Sequence, residues 1–143
     1  MLMKLMIGVA ATALMAASAS AETYEVQMLN RSDAGTMVFE PGFLRIAAGD
    51  TVKFVATDHG HSAESIPDMI PAGAEPFKGK INQEIEVTLD TEGLYAVKCL
   101  PHFAMGMVMT IAVGENVTLP EGYLEGRLPP RAKERLTKEL EGL

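Results

Sequence analysis

The chain contains a single cysteine, Cys99, in the stretch Lys98-Cys99-Leu100-Pro101-His102-Phe103-Ala104-Met105-Gly106-Met107. Two residues separate Cys99 from His102, and four more separate His102 from Met107. A thiolate, an imidazole and a thioether therefore share one short loop. Two further histidines lie upstream in Asp58-His59-Gly60-His61. One thiolate, two imidazoles and a weak thioether suit copper in an electron-transfer site, because soft sulfur favours Cu(I) and imidazole serves both oxidation states. Three strong ligands and a weak fourth leave no open position, whereas a catalytic metal keeps one for water or substrate. The candidate ligands are His61, Cys99, His102 and Met107. His59 competes with His61 for the upstream place. Met105 competes with Met107 as the thioether, and both also read as core residues, since Met109 continues the alternation.

These donors need strands to carry them. Tyr24, Val26 and Met28 alternate with Glu25 and Gln27, which predicts a strand with one buried face. Asn30 to Gly35 reads as a turn cluster, Thr36 to Glu40 as a short strand, and Pro41-Gly42 as its break. Phe43 to Ala47 and Thr51 to Thr57 read as extended, the latter rich in β-branched and aromatic residues. Asp58 to Lys80 reads as loop, with one helical turn near Ser65 to Met69. Gln83 to Leu89 alternates most cleanly. Leu94 to Cys99 is a strand that delivers Cys99 at its end, and Met107 to Val113 is the next, so the residues between form the ligand loop. Short strands punctuated by turns at this density predict an all-β sandwich. At the C-terminus, Pro129-Pro130 suits a helix start, and Ala132, Leu136 and Leu140 share one helical face. A weaker helix is expected over Glu121 to Arg127, despite Gly122 and Gly126.

The N-terminus reads as an export signal. Lys4 is followed by an apolar run from Leu5 to about Ala17, and Ala19-Ser20-Ala21 fits a small-residue cleavage site. Cleavage after Ala21 leaves 122 residues, the size of one domain, and moves the formal charge from −7 to −8. Acidity argues against nucleic acid or an anionic membrane as partner. A lone cysteine cannot close an internal disulfide in an oxidising compartment. Metal ligation would protect it there.

The Gly60-His61 segment, Tyr95-Ala96-Val97-Lys98-Cys99, Pro101-His102, Met105-Gly106-Met107-Val108 and the helical tail resemble the blue copper proteins, or cupredoxins. Plastocyanin and amicyanin share the ligand spacing, but the tail is similar to that of the pseudoazurins. The resemblance favours His61 over His59 and Met107 over Met105. It implies a Greek-key eight-stranded β-sandwich followed by two short α-helices, spanning residues 22–143. It implies one copper ion and a periplasmic electron shuttle that is not an enzyme and works as a monomer, serving a copper nitrite reductase. It implies that electrons pass through a partly exposed His102, with Met37 against that imidazole and Pro101 beside it. It also implies a basic collar for docking partners, to which Arg31, Lys78, Lys80 and Lys98 would contribute.

Two positions depart from the family's pattern. Asparagine usually follows the first histidine and threonine the cysteine, but this chain has Ser62 and Leu100. Leu100 cannot supply the usual side-chain hydrogen bond between the two ligand segments, so an altered potential and a looser site are expected. Other chemistry remains to be weighed. A copper storage or delivery protein would use the same donors. A thiol hydrolase built on Cys99 would leave Met107 unexplained. A structural zinc site would ordinarily use more sulfur.

Overall fold

The computed structural model describes residues 13, 14 and 20–143. The expected export segment, residues 1–21, lies mostly outside the described residues. From Thr23 onward the alternating segments form eight strands: β1 Thr23–Ser32, β2 Gly35–Glu40, β3 Phe43–Ile46, β4 Thr51–Val55, β5 Glu64–Ser65, β6 Ile85–Thr88, β7 Gly93–Lys98 and β8 Val108–Val113. They make two four-stranded sheets, ordered β2-β1-β4-β6 and β3-β8-β7-β5. β1 runs parallel to β4 and β3 parallel to β8, while the other pairs are antiparallel. Parallel neighbours need crossover connections, which here link one sheet to the other in the expected Greek-key sandwich. Val26, Met28, Val52 and Phe54 from one sheet meet Tyr95, Val97, Met109 and Ile111 from the other in a shared, fully buried core.

A second core lies outside the sandwich. All six residues of β8 are buried, so this strand is covered on both faces. Its outer side is roofed by helix α1, Pro130–Glu139, whose Ala132 and Leu136 are fully buried against Val108, Ala96, Ile66 and Met69. The predicted apolar helix face is therefore real, and Pro130 opens the helix as expected. One α-helix forms at the C-terminus, followed by a 3-10 turn at Leu140–Gly142, where two helices were expected. Glu121 to Arg127 forms turns instead. Gly122 takes φ +72°, in the left-handed region that a right-handed helix excludes.

Two further differences matter for function. β1 continues through Asn30, Arg31 and Ser32, so the expected turn shrinks to Asp33-Ala34. Pairing with β2, Arg31 to Thr36 and Ser32 to Gly35, engages backbone groups that a turn would have left to water. The stretch read as loop also holds β5, which pairs Glu64 with Lys98 and Ser65 with Val97. The expected helical turn is reduced to one closure, Met69 N–H donating to the Ile66 carbonyl at 3.1 Å.

Leu136→Ala empties the centre of the second core and should lower stability by about 2–5 kcal/mol in urea unfolding. Glu139 gives the seam between α1 and β8 a pH dependence. Burial pushes its carboxyl up to about 9, opposed by the Thr110 hydroxyl, which donates to it at 3.2 Å, and by the charge of Arg135. The unfolded chain sheds this proton near pH 4.5 while the folded chain retains it, so stability falls as pH rises between about 4.5 and about 9. Relative to the parent, Glu139→Gln should gain unfolding free energy steadily across that window. A gap independent of pH would contradict the assignment.

Candidate metal centre

Strand β7 ends at Lys98, so Cys99 is the first residue beyond the sheet. Leu100–Met105 then forms a 3-10 turn with Pro101 in its opening positions, where a missing N–H costs nothing. Gly106 adopts φ +86° and sends the chain back into β8. A Cβ at Gly106 would lie 2.9 Å from the Arg131 carbonyl oxygen, so the residue must be glycine for both reasons. Backbone hydrogen bonds join the loop's three ligand residues in a closed circuit. His102 N–H donates to the Cys99 carbonyl at 3.3 Å, Met107 N–H to the His102 carbonyl at 3.1 Å, and Cys99 N–H to the Met107 carbonyl at 3.0 Å.

The fourth ligand residue arrives on another segment. Gly60 turns the chain at φ +94° before His61, with its N–H held by Asn82 Oδ1 at 2.6 Å. Ser62 follows, and β5 then docks on β7. Ser62 N–H donates to Cys99 Sγ at 3.4 Å, and Leu100 N–H donates to Ser62 Oγ at 3.2 Å. The side-chain hydrogen bond expected to be missing at Leu100 has a main-chain counterpart. The leucine side chain makes no such bond, but its backbone joins the serine hydroxyl, and the two ligand segments stay linked.

Three donors converge. His61 Nδ1 and His102 Nδ1 are 3.1 Å apart, and Cys99 Sγ lies 3.8 Å from the first and 3.6 Å from the second. The point equidistant from all three lies about 2.0 Å from each. That matches the roughly 2.0–2.3 Å at which imidazole nitrogen and thiolate sulfur bind a first-row divalent metal. Among the described residues, His61, Cys99 and His102 are the group of histidine, cysteine and acidic side chains spaced to hold an ion. His61, Cys99 and Met107 are fully buried, whereas His102 is half-buried. Met107 packs in the same core cluster as Cys99.

The electrostatics suit a cation. Burial, and then the neighbouring His102, push His61 down and keep its imidazole neutral. Burial pushes the Cys99 thiol up, although the Ser62 N–H pulls the other way. The two Nδ1 atoms lie 3.1 Å apart beside this desolvated sulfur, so either a proton shared between them or a bound cation offsets the repulsion of their lone pairs. A copper ion bound there supplies a one-electron couple between Cu(II) and Cu(I), and the residues fit it.

Asn30, expected in a turn, lies in the extended β1, where its Oδ1 pairs with His61 Nε2 at 2.8 Å. That acceptor places the proton on Nε2 and leaves Nδ1 free to ligate. The Asn30 N–H is in turn fixed by Asp58 Oδ2 at 2.7 Å. An asparagine two residues after Met28, at the end of the Val26–Met28 alternation, carries no ligand signature of its own. Arg135, from α1, was also missed. Its guanidinium donates to three carbonyls near the site, those of Met37, Gly106 and Thr36.

The other sequence candidates sort by exposure. His59 is exposed and stands apart from the donor group. Met105 is 41% exposed, at the surface beside the ligand loop, and Pro101 is exposed as well. Met37 is partly buried against the main core. Arg31, Lys78 and Lys80 are exposed. Lys98 corrects the docking set: its side chain pairs with buried Glu64 at 3.5 Å and lies 4.8 Å over the Phe103 ring. Its charge is neutralised inside the protein rather than offered to a partner.

A Greek-key sandwich with a histidine, cysteine, histidine and methionine at one end is a cupredoxin, a small blue-copper electron-transfer protein. Residues 26–114 match the family of copper binding proteins described as the plastocyanin/azurin family. The chain is 44% identical over 136 residues to the pseudoazurin of Paracoccus pantotrophus, covering 94% of each sequence. It superposes on the pseudoazurin of Methylobacterium extorquens AM1 with a TM-score of 0.78 at 37% identity, covering 85% of this chain and 99% of that one. Native pseudoazurin from Hyphomicrobium denitrificans gives 0.75 at 42% identity, covering 85% and 98%. The chain belongs to the plastocyanin/azurin family and, within it, to the pseudoazurins: it is an electron carrier, not an enzyme.

Asn30→Leu removes the acceptor that fixes the His61 ring. Copper affinity should fall by about tenfold to a hundredfold in chelator competition, while unfolding of the copper-free protein changes little. Undiminished affinity would show that His61 is oriented by packing alone.

Proposed function

We propose that this protein is exported to the periplasm, loses residues 1–21, and shuttles single electrons as a monomer to a copper nitrite reductase or a similar denitrification enzyme. The observation that carries the reading is the unequal exposure of the ligands. His61, Cys99 and Met107 are sealed, while His102 is half-exposed on the loop that also carries the exposed Leu100, Pro101 and Met105. A half-exposed imidazole gives a partner one short route to the metal. The apolar side chains around it can shed water on contact.

Charge supports an oriented encounter. Lys78, Lys80, Ile81 and Leu100 border one shallow depression with Ser62, so two cations sit next to the apolar rim. Arg31 adds a third exposed cation at the tip of the β1–β2 hairpin. On a chain whose formal charge is −8 once Lys4 leaves with residues 1–21, a local basic face creates a dipole that steers an acidic partner. Among the described residues no helix is long and apolar enough to cross a membrane.

Stopped-flow mixing of the reduced, copper-loaded protein with copper nitrite reductase tests this. The thiolate-to-copper band should reappear as the electron leaves. The second-order rate should fall with rising salt, and should fall further in Lys78→Glu and Lys80→Glu variants of unchanged potential. No electron transfer, or rates indifferent to salt and to both substitutions, would remove this partner and docking face. Transfer of the copper itself to an acceptor would instead establish a delivery protein.

A further inference from the structure

We propose that Arg135 is a positioning residue of the copper centre, through which helix α1 holds the backbone on both sides of the ligands. Its Nη1 donates to the Met37 carbonyl at 2.6 Å and to the Gly106 carbonyl at 2.7 Å, and its Nη2 donates to the Thr36 carbonyl at 3.1 Å. Gly106 immediately precedes Met107. Met37 occupies the β2 position that the register on either side sets opposite Asn30, whose side chain orients His61. One guanidinium therefore joins the segment next to the thioether to the segment opposite the histidine's partner.

The ladder shows why a charged fork is needed there. β1 and β2 pair at Leu29 with Val38 and at Arg31 with Thr36, but the intervening pair, Asn30 with Met37, is absent. Met37 takes φ +51°, a left-handed conformation that non-glycine residues rarely adopt. At this lapse the Met37 carbonyl accepts from Arg135. Gly106, also left-handed, presents its carbonyl to the same nitrogen. A planar guanidinium can reach several acceptors at fixed angles, which a lysine ammonium on its flexible stem cannot reproduce. Each of these carbonyls is held by a shared donor, so movement at one is felt at the other.

This proposal rests on the blue-copper reading of the site. The test compares copper-loaded parent, Arg135→Ala, Arg135→Lys and Leu136→Ala proteins by visible absorption, EPR and potentiometry. Leu136→Ala loosens the helix without touching the guanidinium, and so controls for stability alone. Both Arg135 variants should change the intensity ratio of the two thiolate-to-copper bands, alter the symmetry of the Cu(II) EPR signal and shift the potential. Copper affinity should drop about tenfold. Leu136→Ala should keep the parent's spectra despite its lower melting temperature. If Arg135→Ala does not fold, Arg135→Lys carries the comparison. Parent-like spectra and potential in the Arg135 variants, or equal changes in Leu136→Ala, would overturn the proposal. A lysine variant that fully regains the parent's signature would also overturn it, since charge rather than the fork would then suffice. A parent without the blue band would sink the copper reading and this proposal together. A blue parent with unaffected variants would sink this proposal alone.

Discussion

Two imidazole nitrogens and a sulfur cannot sit within 4 Å of one another in a dry corner of a protein unless something forces them together. What forces them is backbone. The circuit through Cys99, His102 and Met107 fixes three ligand residues relative to each other with main-chain bonds alone. The Ser62 bridge then fastens the His61 segment to the same loop from a neighbouring strand. Side-chain torsions contribute only the last step. A site set by peptide geometry moves little when the metal's charge changes, which is what rapid electron transfer requires, since ligand rearrangement adds to the barrier.

The sandwich makes that rigidity affordable. β7 carries Cys99 to the rim and β8 carries the chain away from it, and the two are paired along their whole length. β8 is buried on both faces, inward by the shared core and outward by α1. A strand confined in this way cannot slip, because a one-residue shift would exchange its two apolar faces and break both packings. The helix is thus more than a lid on an exposed sheet. Its apolar stripe clamps β8, and its guanidinium reaches past the sheet to the loop.

Polar groups follow the same economy near the centre. Asn30 satisfies the outer nitrogen of His61, Asn82 holds the turn before it, and Glu64 is buried against Lys98. An ion pair in this position does little for net stability, because desolvation of both charges offsets their attraction. It does join β5, only two residues long, to β7 at the residue before Cys99. The donor set is sealed at His61, Cys99 and Met107 and half-open at His102.

Much of this was legible in residue order. The spacing of Cys99, His102 and Met107 lies within one loop, so no long-range folding is needed to see that the donors meet. Strand alternation at Val26 and Met28, and the helical stripe of Ala132 and Leu136, are local periodicities that report which face is buried. The choice of His61 over His59 came from resemblance, since histidines at i and i+2 share a face of an extended chain, and only the turn at Gly60, φ +94°, buries one and exposes the other. Tertiary structure alone decided the rest. Asn30 became a histidine partner because pairing with β2 kept it in a strand. Lys98 became an internal ion because a two-residue strand brought Glu64 against it. Arg135 met Met37 and Gly106 across separations of 98 and 29 residues. Contacts of that range leave no period in the sequence, because they depend on where whole elements pack rather than on which residues neighbour each other in the chain.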